Sequence, residues 1–130
     1  MADRLPEPVR ALADTPTYVV LATVQADGSP RLTVLWVDRD EDELLLSTVR
    51  GRAKERDIAR DPRVGLIFLD QNDPYGYVEV RGTATLTEEG GQELIDRLSL
   101  KYTGDIYRWD DPEEIRVVIR VKAGRILTVG

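Results

Sequence analysis

Alternating and continuous apolar positions divide the chain into strand-like stretches punctuated by turn formers, with helical spacing in three places. Residues 17–24, TYVVLATV, are largely β-branched and predict a central strand. Asp27-Gly28 supplies the turn after it. Residues 31–37 then form its partner, with Leu32, Val34 and Trp36 on one face and Thr33, Leu35 and Val37 on the other. A strand apolar on both faces predicts cover on both sides, from the core and from a partner subunit or ligand. Leu44-Leu45-Leu46 opens another buried strand, and residues 64–69, VGLIFL, a further one. Residues 77–87 alternate, with Val78, Val80, Gly82, Ala84 and Leu86 opposite Tyr77, Glu79, Arg81, Thr83 and Thr85. Gly82 in the middle predicts a bulge or sharp bend. Residues 115–121 and 125–129 read as a final pair of strands around Lys122-Ala123-Gly124.

Helical spacing is shorter-lived. Residues 5–13 place Leu5, Val9 and Leu12 on one side, with Pro6 and Pro8 limiting where a helix begins. Residues 52–60, RAKERDIAR, form a second helix that must end near Asp61, because Pro62 disfavours helical geometry just before it. Residues 88–102 form the third, with a stripe of Leu94, Ile95, Leu98 and Tyr102 and a closing Gly104, its first turns weakened by Gly90-Gly91. Six or seven strands with turn signals and few helices predict a mainly β protein, a closed antiparallel barrel or sandwich, in one domain over residues 1–130.

Composition narrows the chemistry. The chain has no cysteine and no histidine, which removes disulfides, thiolate sites, the usual general base and any serine–histidine arrangement. Ser29 and Ser47 have no base to activate them, and the catalytic residues cannot be named. Chemistry would therefore be carried by something bound. Asp38, Asp40 and Asp42 are spaced like the start of a calcium loop, but Glu43 occupies the position that needs glycine. A solvated hairpin tip and no metal are expected. No bilayer-spanning stretch or signal peptide is visible, so a cytoplasmic location is the default. A net charge of −6 argues against nucleic acid.

Against that acidity, residues 50–63 hold six basic and three acidic side chains. A helix start offers unpaired N–H groups, and Arg52 and Lys54 would add charge-assisted hydrogen bonds to a phosphate there. Gly51 would let a ligand approach the backbone. The competing reading is a solvated helix with charge pairs along its face.

The T-x-R-G-R-x-K-E-R run and following D-P-R-V resemble the phosphate-binding segment of the pyridoxamine 5′-phosphate oxidase-like split β-barrels. They resemble most closely the flavin/deazaflavin oxidoreductase branch that uses coenzyme F420. The resemblance extends to residues 18–24, Asp27-Gly28-Ser29-Pro30, Trp36-Val37-Asp38, Asp73-Pro74-Tyr75 and residues 77–82. It implies a Greek-key split β-barrel and a homodimer with the cofactor at the subunit interface. Carried over residue by residue, Arg52, Ala53 and Lys54 would hold the phosphate. Thr48 and Val49 would line the linker and ring edge, and Thr33, Val34, Leu35 and Trp36 would run along the ring system. Trp36 has an equally physical role as core. Tyr75 and Tyr77 follow a turn that in relatives can reach the partner's pocket, or they simply pack at the interface. The implied activity is an F420-dependent reductase acting on a planar conjugated small molecule. Two alternatives stand beside it: an FMN-binding oxidase or flavin reductase, and a non-catalytic ligand-binding barrel. Arg31 reads either as a contact for an anionic substrate or polyglutamate tail, or as an exposed strand residue.

Overall fold

The computed structural model describes residues 4–73, 75–108 and 111–129. Seven strands make one antiparallel sheet in the order β2-β1-β5-β6-β7-β4-β3, the split-barrel architecture, with β2 and β3 as its two edges. In chain order these are α1 (Glu7–Asp14), β1 (Val19–Val24), β2 (Pro30–Leu35), β3 (Asp38–Asp40), β4 (Glu43–Val49), α2 (Ala53–Arg60), β5 (Arg63–Leu69), β6 (Tyr77–Thr87), α3 (Gly91–Thr103) and β7 (Arg116–Val129). Among the described residues no helix is long and apolar enough to cross a membrane.

Two apolar clusters explain the runs in the sequence. Leu44 and Leu46 point into the main core with Leu21, Phe68, Val80 and Ile119, capped by Val9 of α1 and Ile58 of α2. Leu45, on the opposite face of β4, packs with Val118, Leu94 and Leu98 beneath α3. Three successive leucines are thus buried because β4 is covered on both faces. Pro30 sits at the first position of an edge strand, where its missing N–H costs no ladder bond.

Two features differ from the sequence reading. The final pair of strands is one 14-residue strand, β7, which pairs with β4 along its first half and β6 along most of its length. Gly124, read as part of a turn, is an extra residue passed over where Arg81 pairs Arg125 and Gly82 pairs Ala123. The irregularity expected at Gly82 is this register shift, and the added residue lies on the partner strand. A Cβ on Gly82 would also strike the Lys122 carbonyl. Second, β2 ends at Leu35, so Trp36 and Val37 form the link to β3. Leu32 and Val34 remain 67% and 64% exposed. The carboxylates of β3 and the turn after it are dispersed among separate cations: Asp38 faces Arg97, Asp40 faces Arg120, and Asp42 faces Arg10.

Candidate functional site: a cationic cleft beside α2

The junction between β4 and α2 is built by Gly51 and Glu55. Gly51 has φ +92°, in the left-handed region, and a Cβ there would meet nothing within 4 Å. The glycine is therefore required by the turn's backbone angle, not by a close approach. Glu55, 5% exposed, reaches back to accept the Gly51 N–H at 2.8 Å and pairs with Arg50 at 3.1 Å. Arg52 is the N-cap residue, and the first helical bond to its carbonyl comes from Arg56 N–H at 3.1 Å. The amides of the first turn precede that bond and form the positive end of α2.

Arg52 and Lys54 face a cleft of about 230 Å³ that they share with Tyr18, Val34, Leu35, Trp36, Ser47, Ile95, Leu98, Tyr107 and Arg116. Among the described residues three cations and no carboxylate line it, in a chain of net charge −6. Lys54 is half-buried and has no ion-pair or hydrogen-bond partner among the described residues. Its pKa is held below the usual lysine value by burial, then by the positive charges of Arg52, Arg116 and Arg31. Arg52, more exposed, donates to Glu114 at 3.0 Å.

Aromatic side chains form another wall. Trp36 stacks on Tyr102 with ring centroids 5.2 Å apart, and Tyr107 meets Trp36 edge-on at 6.5 Å. Tyr102 is fixed from behind: its hydroxyl donates to the Thr17 carbonyl at 2.5 Å and accepts from Val37 N–H at 3.0 Å. Burial pushes that phenol up to about 12, so it remains a protonated donor. Trp36 consequently serves the small core under α3 with one face and the cleft with another.

The cleft gathers Val34, Leu35, Trp36, Arg52 and Lys54 of the expected site residues. Ala53 is half-buried in the first turn of α2 between the two cations, and Thr33 is half-buried on β2. Thr48 and Val49 are buried at 1% and 4% exposure and lie outside the lining; Thr48 Oγ1 has no hydrogen-bond partner among the described residues. Tyr75, 87% exposed, and Tyr77 occupy the β5–β6 side of the molecule, where Tyr77 borders a separate hollow against α1. Arg31 is committed elsewhere, pairing with the buried Asp57 at 2.7 Å and donating to Gln25 at 3.0 Å. Of Arg108 and Trp109, which the sequence offers either as a lid or as part of an acidic loop, Arg108 is exposed and pairs with Asp105 at 2.8 Å, and Trp109 lies outside the described residues. Tyr18, Ser47, Ile95, Leu98, Tyr107 and Arg116 also line the cleft and are not among the expected site residues. A lone arginine opening an apolar strand was the one available signal.

The structure is an open antiparallel sheet of split-barrel architecture with a cationic, aromatic-walled cleft at a strand–helix junction. The sequence matches the family described as pyridoxamine 5′-phosphate oxidase over residues 5–130, and the chain belongs to that family. An 84-residue stretch is 39% identical to a pyridoxine/pyridoxamine 5′-phosphate oxidase of Rubrobacter xylanophilus, covering 64% of this chain and 38% of that protein. An F420 reductase has a similar structure, with a TM-score of 0.84 and 29% identity over 95% of this chain and 98% of the other. The conserved hypothetical protein Rv2991 of Mycobacterium tuberculosis is similar too, with a TM-score of 0.79 and 26% identity over 99% and 88%.

Proposed function

We propose that the protein is an oxidoreductase that holds a phosphate-bearing flavin-type coenzyme, the deazaflavin F420 in first place, in the cationic cleft. The observation that carries this reading is the convergence of Arg52, Lys54 and Arg116 on a cleft walled by Trp36 and Tyr107, with no carboxylate among its described lining residues. Arg52, Lys54 and the first-turn amides of α2 would hold the phosphate. Val34, Leu35 and Trp36 would orient the ring and exclude water from it. The coenzyme, when bound, supplies hydride transfer, which suits a chain without histidine or cysteine and a planar conjugated substrate. The likeness to an F420 reductase along nearly the full length of both chains supports the deazaflavin. The oxidase from Rubrobacter xylanophilus favours FMN as the second reading.

The same reading makes the protein a homodimer. Ladder register puts Val34, Val20, Ile67, Glu79 and Leu127 in one row across the sheet's outer face, with Leu32, Ala22, Gly65, Arg81 and Arg125 in the next. Leu32, Val34, Leu69 and Leu127 there are each about half-exposed or more. A second copy would cover these exposed apolar side chains, which share the face with Glu79, Arg81 and Arg125. Because Val34 also borders the cleft, that copy would complete the coenzyme site, and Tyr75 and Tyr77 would approach the other subunit's cleft. Separate titrations with F420 and with FMN test the choice: saturable F420 binding supports the deazaflavin, and tight binding of FMN alone replaces it with the second reading.

A further inference from the structure

We infer that Arg116 is a ligand-contacting residue, the third cation of a receptor for a tetrahedral phosphate group whose other two members are Arg52 and Lys54. This rests on the reading of the cleft as a coenzyme site and adds a residue from the far end of the chain.

The backbone places Arg116 there independently of its side chain. Arg116 pairs with Val49 in the β4–β7 ladder, and Arg50 N–H donates to the Ile115 carbonyl at 2.9 Å. The start of β7 is therefore laced to the turn that leads into α2. From the other side α3 presses onto the same point, because Gly91 leaves no Cβ to strike the Arg116 carbonyl. The guanidinium is also oriented. It donates to Ser47 Oγ at 3.3 Å and lies over the Tyr107 ring at 4.8 Å.

Arg116 is 8% exposed and still lines the cleft. Arg52, Lys54 and Arg116 thus bring three positive charges to one space, and a bound anion would be attracted to all of them. The positive charge of Arg116 already reaches Lys54, whose affinity for its proton it lowers. A guanidinium fork can grip two oxygens, and an ammonium on the same cleft takes another. Donors on α2 and β7 that face one space suit the separated oxygens of phosphate better than the two of a planar carboxylate.

The test uses the full chain. Arginine Nε–Hε signals of ¹⁵N-labelled protein are followed by NMR during titration with inorganic phosphate, with acetate as the planar comparison. FMN and F420 affinities are measured for Arg116→Gln, Arg116→Lys and Arg52→Ala. The expected result is a saturable shift of the Arg116 signal with phosphate and a weaker response to acetate. Arg116→Gln should weaken binding of the preferred coenzyme by about tenfold or more, with partial recovery in Arg116→Lys. An Arg116 signal that stays fixed while Arg52 responds overturns the three-cation receptor and leaves the cleft reading intact. If neither signal moves and neither Arg52→Ala nor Arg116→Gln alters coenzyme affinity, the cleft reading itself fails. Should Arg116→Gln not fold, the wild-type NMR titration decides alone.

Discussion

Arg52 and Glu114 are bonded at 3.0 Å, so the foremost cation of the cleft is held by a carboxylate of its own chain. Glu114 is steadied in turn by the Asp111 N–H, which donates to its other oxygen at 3.3 Å. A phosphate that engages Arg52 must share or displace this contact. The pair is half-exposed, and ion pairs of this kind are worth roughly 0–1 kcal/mol. Glu114→Gln should therefore tighten phosphate or coenzyme binding about two- to fivefold. The gain should vanish in an Arg52→Ala background, since the two changes act through one contact. Calorimetric titration of the four proteins measures it, and an equal gain without Arg52 would show that Glu114 acts by another route.

Lys54 makes binding depend on pH. Burial first, then Arg52, Arg116 and Arg31, lower its pKa in the ligand-free protein. A bound anion favours the charged amine and raises that pKa. Affinity should thus be fully present below the ligand-free pKa and fall as pH rises through it, in a window that opens below the ordinary 10.5. Stability of the ligand-free protein runs the opposite way. The unfolded chain holds this proton more tightly, so the Lys54 contribution grows with pH across the same window. Coenzyme titrations from pH 7 upward on wild type and Lys54→Met check the first statement; the variant's profile should lose this step.

The buried carboxylate of Asp57 is a structural hub. It is 3% exposed and accepts from Thr23 Oγ1 at 2.8 Å, Arg31 at 2.7 Å and Arg60 at 3.1 Å. Burial pushes its pKa up, but the bonds from Arg31, Thr23 and Arg60 together outweigh that and leave it below the usual aspartate value. Its stabilising contribution is present above the unfolded-state pKa and is lost as pH falls through the folded one. Asp57→Ala should cost about 1–3 kcal/mol at neutral pH by urea denaturation, with the difference from wild type narrowing in acid. A variant of undiminished stability would mean the network contributes nothing.

Gly91→Ala tests the packing behind Arg116. The added Cβ would collide with the Arg116 carbonyl, so α3 must back away from β7. The expected cost is about 1–3 kcal/mol of stability, read from the urea midpoint. Gly51→Ala should also destabilise, by backbone strain at φ +92° rather than by collision.

Much of the fold is legible in the residues themselves. Pro62 announces the end of α2, and Val9 and Leu12 announce the inward side of α1. The leucine run of β4 signals burial on both faces. Gly124 misleads because glycine between two apolar runs has the composition of a turn, whereas the sheet absorbs it as one extra residue in a continuous strand. The site is less legible. Arg52 and Lys54 stand out through local charge, but Arg116 joins them only through the β4–β7 register. The Arg31–Asp57 pair spans 26 residues, so local sequence shows a loose cation where the fold has a committed one. Trp36 divides between core and cleft because β2 stops one residue before it.

The outer sheet face gives an assembly prediction. Leu32→Asp and Leu127→Glu place charges at exposed apolar positions of this face without touching the cleft lining. The double variant should run as a monomer in analytical ultracentrifugation and bind coenzyme more weakly, while wild type sediments as a dimer. A monomeric wild type with full coenzyme affinity would refute the shared site.

The most direct measurement is a fluorescence titration of F420 into wild type and the Arg52→Ala/Lys54→Ala double variant, in parallel at neutral pH. Each lost charge-assisted hydrogen bond is worth about 1.5–3 kcal/mol, so binding should saturate in wild type and be weaker by about 100-fold or more in the variant. Equal affinity in both proteins would contradict the account, because the coenzyme's phosphate would then be held somewhere other than this cleft.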